Sequence, residues 1–238
     1  MLTNRSQEKE LLDLGSAYYT KDEYEQCLHQ LFRINQLTGI FNHTVKLIKE
    51  YPDDISIADV GCGGGLFLLH LGQIFPKMHL LGLDISPEAI RLAQNELDKW
   101  KIQKNPPKAH IEFQLQQPDE FKLAQESIDI ILLTFVCHHF DDLSLIDFLQ
   151  KAQNAVRKVL IIHDLHRNSL AYWFYKLVSP IVFKNRLITH DGLISIKRSF
   201  TRKELHTLLK QANINNYQIK WCFPFRWNVL VWKNNHDN

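Results

Sequence analysis

Glycine is scarce in this chain, with nine in 238 residues, and the nine are unevenly placed. There are only four cysteines, Cys27, Cys62, Cys137 and Cys222, and no two form a Cys-x-x-Cys pair. That excludes a small disulfide framework and points to a reducing compartment, the cytoplasm. No charge of one sign dominates: 28 Lys and Arg stand against 26 Asp and Glu, a net charge of +2. Nothing in that balance marks a nucleic-acid binder or a binder of anionic membranes. Long hydrophobic runs are also missing. The longest apolar stretch, Leu170 to Phe183 (LAYWFYKLVSPIVF), is too short to span a bilayer and contains Lys176 and Pro180. The start, MLTNRSQEKE, is polar and lacks an apolar signal core, so secretion is not expected. Repeats and low-complexity linkers are absent.

What is present is an ordinary globular complement of apolar residues, 45%, in a length that suits one large domain or a domain with a subdomain. In residues 8–50 the apolar positions Leu28, Leu31, Phe32, Leu37, Ile40, Phe41, Val45 and Ile48 recur at helical spacing. Two or three helices are expected there, ending near Tyr51-Pro52. The texture then changes. ISIADV, MHLLGLDI, HIEFQL, SIDIILLTF and KVLIIHDL read as five strands separated by helical segments. Ser86 followed by Pro87 opens a helix to about Lys104, and Asp141 or Asp142 opens one to about Arg157. Thr201 and Glu204 form a capping box, and the tail YQIKW and NVLVW gives two more strands around a proline-containing turn.

Apolar strands alternating with helices imply right-handed βαβ units and a mostly parallel sheet. The expected fold is α/β: a Rossmann-like, doubly wound sheet of seven strands, the last antiparallel. Residues 1–52 are expected as an N-terminal helical cap and 53–238 as the Rossmann-like domain. A helical insert at 165–200, after strand five, is expected to cover the substrate.

The glycines answer to this layout. Four of the nine lie in residues 61–65, within Asp59-Val-Gly-Cys-Gly-Gly-Gly65, at the end of the first strand. In such sheets ligands bind beyond the carboxyl ends of the strands, where a turn must let backbone approach them and a helix N-terminus offers free N–H groups. A dinucleotide fingerprint requires G-x-G-x-x-G, and here Leu66 takes the sixth place.

The pattern D-x-G-x-G-x-G instead resembles motif I of class I S-adenosylmethionine-dependent methyltransferases. Asp84, at the end of the second strand, stands where that family has an acidic residue for the ribose hydroxyls. SIDIILLTFVCHHFDD is similar to motif IV of the small-molecule branch, the ubiquinone and menaquinone biosynthesis methyltransferases. The likeness covers residues 45–165. HDLHRNSLAYWFYKL, RLITHDGLISIKRSF and RINQLTG also look like a bacterial subgroup found beside polyketide-type biosynthetic enzymes. The resemblance implies S-adenosyl-L-methionine as cofactor, held by Asp59, Gly61, Cys62, Gly63, Asp84, Ile85, Gln117 and Thr134. Gln117 replaces the family's usual aspartate toward adenine, and Ile85 would pack on the adenine face.

The implied activity is methyl transfer to a small apolar acceptor, foremost at a phenol or enol hydroxyl, with a carbon nucleophile using the same parts. A hydroxyl must lose its proton, and His138, His139 and His163 are the candidates to take it. No metal is expected, because the His163 and His166 spacing comes without further ligands. His190-Asp191 reads equally as a turn or as substrate cover, and Leu170 to Phe183 as core on one side and pocket wall on the other. Asn105-Pro106-Pro107-Lys108 resembles the motif of amino-group methyltransferases, but precedes the third strand and has lysine where an aromatic belongs, so it reads as a loop. The partner expected is a small apolar molecule, with no nucleic acid and no stable membrane insertion; a homodimer stays open. The rivals are a non-catalytic module that binds the same cofactor, and a methyltransferase acting on RNA or protein.

Overall fold

The computed structural model describes residues 2–102, 106, 108–117, 121 and 123–233. Asn105 and Pro107, Pro118 and the expected helix end near Lys104 lie outside the described residues. Seven strands form one sheet: β1 Ser56–Val60, β2 His79–Asp84, β3 His110–Leu115, β4 Ile128–Thr134, β5 Val156–Leu165, β6 Tyr217–Cys222 and β7 Arg226–Trp232. Their order is β3-β2-β1-β4-β5-β7-β6. β7 runs antiparallel to both β5 and β6, and every pairing among β1 to β5 is parallel. The doubly wound fold expected from the alternation of elements is the fold observed.

The helices are α1 Lys21–Leu37, α2 Ile40–Ile48, α3 Leu66–Ile74, α4 Pro87–Lys101, α5 Asp142–Ala155, α6 Ser169–Val182, α7 Arg186–Arg198 and α8 Arg202–Gln211. Local chemistry fixes their starts. Ser86 accepts from the Ala89 N–H with Pro87 at the first helical position, Asp141 accepts from the Ser144 N–H, and Thr201 and Glu204 close their capping box. α5 stops at Ala155, two residues short of the expected end. Val156 is drawn into the sheet as a buried β-branched residue, and Arg157 makes a two-pronged contact to Asp129 on β4, at 3.0 and 2.9 Å.

The core lies on the two faces of the sheet. β4 is buried along its length except at Thr134, and Ile130, Ile131, Leu132 and Leu133 are closed to solvent. Burying each such side chain contributes about 1.5–3 kcal/mol. A third cluster joins the N-terminal region to α7 through Tyr19, Tyr24, Cys27, Leu187 and Ile188.

Two expectations change here. α6 does not bury one face in a core: Leu170, Trp173, Phe174, Leu177 and Ile181 are exposed, Ile181 to 85%. Its other side holds the small buried residues Ala171 and Ser179, while Tyr175 donates to the Ile188 carbonyl at 2.7 Å. His190-Asp191 is not a turn but sits inside α7, where Asp191 accepts the Leu11 and Leu12 N–H groups at 2.9 and 3.1 Å. Among the described residues no helix is long and apolar enough to cross a membrane.

Candidate active site

Parallel strands end together, and β1, β2, β4 and β5 deliver their last residues to one edge of the sheet. A cavity of about 1170 Å³ opens there. Its floor is the β1–α3 turn. Gly61 and Cys62 donate to the Leu83 carbonyl at 2.7 and 3.1 Å, which ties the turn to β2. Gly61 has φ +76°, and a Cβ on it would meet Val136 at 2.4 Å. Gly65 has φ +70°, with Phe113 in the way of any side chain, also at 2.4 Å. Glycine is therefore demanded at both places by backbone sign and by space.

Two carboxylates meet at this turn. Asp84 accepts from the Gly63 N–H at 2.8 Å and from the Ser86 N–H at 2.9 Å, one bond to each oxygen. Its pKa is raised, because burial outweighs those hydrogen bonds. Asp59 is 4% exposed, and its Oδ1 has no partner. Burial, with the charge of Asp84 beside it, pushes its carboxyl up to about 8. Once ionised, these two neighbouring acids repel a phosphate and attract a cation. A sulfonium amino acid fits that demand; a pyrophosphate does not. Cys62, Ile85, Gln117 and Thr134 also line the cavity. Thr134 Oγ1 is buried without a partner. Gln117 is exposed, whereas the neighbouring Gln116 is buried and lines the cavity with its amide nitrogen unpaired. Both glutamines thus stand at the cavity, just beyond the end of β3.

The three candidate histidines separate. His163 is not a cavity residue. Side chains alternate along β5, so Asp164 turns toward the 3-10 turn Cys137–His139 and His163 turns toward α2. There it shares a hydrogen bond with Thr44 Oγ1 at 2.9 Å, and burial together with the charges of His43 and Arg226 pulls it down to about 3. A neutral, enclosed imidazole cannot serve the site. His138 is 2% exposed and clamped: its Nδ1 donates to Asp164 at 2.7 Å, and its Nε2 lies 3.5 Å from Glu10. Burial pulls its pKa down, yet Asp164 and Glu10 prevail and raise it to about 10. The two carboxylates therefore favour its imidazolium form. Glu10, His138 and His139 stand within 4.8 Å of one another.

His139 keeps a third of its side chain exposed and lines the cavity. Its Nδ1 is 2.8 Å from Asp13, without the alignment of a hydrogen bond. Burial raises the Asp13 carboxyl, but His139 and Arg198 bring it to about 2. The N-terminal segment is held down by arginines: Arg198 reaches Asp13 at 2.7 Å and the His138 carbonyl at 3.0 Å, and Arg5 binds the Phe140 carbonyl and Asp142. Glu10 and Asp13 were not among the sequence candidates, since a polar start carries no periodic signal. Leu12, Tyr24 and Leu28 from the first 52 residues, and Phe174, Val178 and Val182 from α6, form the apolar walls.

Residues 58–158 match the family described as methyltransferase domain. This match and the curated relatives support an S-adenosylmethionine-dependent methyltransferase. A ubiquinone biosynthesis O-methyltransferase of Rickettsia bellii (strain OSU 85-389) is 24% identical over 226 residues, covering 91% of this chain and 84% of that protein. Among solved structures, the plantazolicin methyltransferase BpumL, in complex with a triazolic desmethylPZN analog and SAH, superposes with a TM-score of 0.64 at 19% identity, over 90% of this chain and 89% of that one. Human N-acetylserotonin methyltransferase in complex with SAM gives 0.62 at 16% identity, over 91% and 57%.

Proposed function

We propose that this methyltransferase acts on a small, largely apolar acceptor at a phenol or enol hydroxyl, with His139 as the general base. The observation that carries this reading is the composition of the one cavity. A glycine turn with paired carboxylates stands at one end, and an exposed histidine backed by Asp13 faces the same space between apolar walls. The similarity to a protein named as a ubiquinone biosynthesis O-methyltransferase supports it.

When bound, S-adenosylmethionine supplies an electrophilic methyl group on a sulfonium. The chain's own residues do the rest. Asp84 keeps lone pairs on both carboxylate oxygens for two vicinal hydroxyls, since each oxygen accepts only one backbone bond. Asp59 and Thr134 present unpaired buried oxygens, and Gln116 an unpaired amide. Gly61, Gly63 and Cys62 bring backbone close, and Ile85 lays an exposed apolar side chain at the rim. Residues 1–52 and 165–200 cover the acceptor end and exclude water, which strengthens each charge interaction inside. His139 takes the hydroxyl proton, and the anionic Asp13 beside it stabilises the imidazolium that forms. His138, already cationic, holds the turn in place through Asp164 and Glu10 instead of exchanging protons. A carbon acceptor would use the same apparatus. The free cysteines suit a reducing cytoplasm.

Calorimetric titration with S-adenosylhomocysteine, with NAD as comparison, tests the cofactor half. Methylation of a panel of phenols and quinols by the wild type and by His139→Ala tests the acceptor half. Turnover of phenols that survives His139→Ala at wild-type rate would remove histidine from the mechanism.

A further inference from the structure

Three arginines are nine-tenths buried: Arg167, Arg198 and Arg226. The first two are compensated. Arg167 pairs with Glu204 at 2.5 Å and Arg198 with Asp13 at 2.7 Å. Arg226, 6% exposed, has no carboxylate within 4 Å among the described residues. A buried guanidinium without a counter-ion is costly, and proteins seldom keep one unless something else neutralises it.

What holds Arg226 leaves one edge of it free. Nη1 donates to the Thr38 hydroxyl at 2.6 Å, and that hydroxyl passes its own proton to the Ile34 carbonyl at 2.7 Å. The ring of Phe135 lies against the guanidinium face, 5.0 Å from centroid to Cζ. Phe135 takes φ +59°, a conformation that a non-glycine residue keeps only where its surroundings hold it, and its N–H is tied to the His163 carbonyl. Nε, though buried, has no partner. Nε and Nη2 share the edge opposite the Thr38 bond. That edge is the one by which a guanidinium takes both oxygens of a carboxylate. Arg226, Thr38, Phe135 and Phe225 all line the 1170 Å³ cavity.

We propose that Arg226 is a carboxylate-binding position of the active-site cavity, so that a bound molecule carries an anionic group as well as its apolar body. The inference deepens the proposed function and rests on it for the identity of the cavity. The carboxylate has two possible owners: the acceptor, or the amino-acid end of the cofactor. Arg226 is a specificity-determining residue in the first case and a cofactor anchor in the second.

The test uses the wild type, Arg226→Met and Arg226→Lys, with 3,4-dihydroxybenzoate against catechol and with S-adenosylhomocysteine as probes. Affinities are read by calorimetry and by thermal shift, with and without S-adenosylhomocysteine present. If the acceptor owns the carboxylate, dihydroxybenzoate binds the wild type at least about tenfold tighter than catechol. Arg226→Met then erases that ratio, Arg226→Lys keeps part of it, and S-adenosylhomocysteine affinity stays as it was. If the cofactor owns it, Arg226→Met weakens S-adenosylhomocysteine by a similar factor. In both cases the methionine variant without ligand melts at or above the wild-type temperature, because an uncompensated charge has been removed. Unchanged affinity for both probes, or a melting temperature well below wild type, overturns the proposal and makes Arg226 a structural tie to Thr38. A wild type that binds no S-adenosylhomocysteine would sink the proposed function instead, and the dihydroxybenzoate comparison without cofactor would still decide Arg226.

Discussion

Asparagine in place of Asp59 separates a buried proton from a buried charge while keeping the shape of the side chain. The folded carboxyl titrates near 8 against an ordinary value of 3.8. A raised acid holds its proton in the folded state and has lost it in the unfolded chain throughout that interval. Its contribution to stability is complete below about pH 4 and is lost as pH rises toward 8. From pH 5 to pH 8 the loss spans three units at ~1.4 kcal/mol each, about 4 kcal/mol. Denaturant unfolding of the wild type and of Asp59→Asn across that range should show the two curves diverging by this amount, with the variant ahead at pH 8. The cofactor should feel the same proton from the other side. To meet its ammonium Asp59 must ionise, so S-adenosylhomocysteine affinity should rise about tenfold per pH unit up to pH 8 and then level off. At pH 6.5 calorimetry in two buffers of different ionisation heat should detect close to one proton released by the wild type and none by Asp59→Asn. Binding that is flat with pH and releases no proton would refute the carboxylate pairing drawn here.

Asp84→Ala removes the acceptor for the Gly63 and Ser86 N–H groups and the proposed ribose contact. S-adenosylhomocysteine affinity should fall ~100-fold or more, about 3 kcal/mol; near-normal calorimetric affinity would contradict the assignment. His139→Ala should lower kcat by ~10²-fold or more with cofactor affinity unchanged. His138→Ala should act on folding instead: it strands Asp164 and Glu10 without their cation, at about 3–5 kcal/mol in chemical denaturation. Gly65→Ala drives a methyl group into Phe113 and strains a positive φ, so ~2–3 kcal/mol should appear as a melting temperature lower by roughly 5–10 °C.

The sheet was legible because its strands are apolar, short and punctuated by caps that act locally. Ser86-Pro87, Asp141 and Thr201 each satisfy donors within three residues of themselves, so sequence spacing is enough to find them. The glycine turn was legible for the same reason, with Asp84 one βαβ unit away. The acceptor end was not. Glu10 meets Ser195 and Asp13 meets Arg198 across 185 residues, and Arg226 meets Thr38 across 188, and no spacing rule reaches that far. His163 illustrates the converse. Its place at the end of β5 suggested the site, but a strand offers only every second residue to a given face, and Asp164 occupies that place. One signal was readable in principle: Arg226 is the single charged residue in the strand RWNVLVW, and a lone cation in a mostly apolar strand asks for an anion.

β7 enters the sheet from the edge at which β1 to β5 leave it. It therefore contributes its first residue to the cavity where they contribute their last, and the turn Phe223–Phe225 sits at the rim. The division of labour is also a division of the gene. The glycine turn and both carboxylates are encoded in a single stretch of the first half. Arg226 and its rim turn lie in a hairpin near the other end, beyond α8. Sequence drift in that hairpin can change what Arg226 meets without touching the glycine turn. A lineage carrying this fold can thus vary one end of the cavity while the other stays as it is.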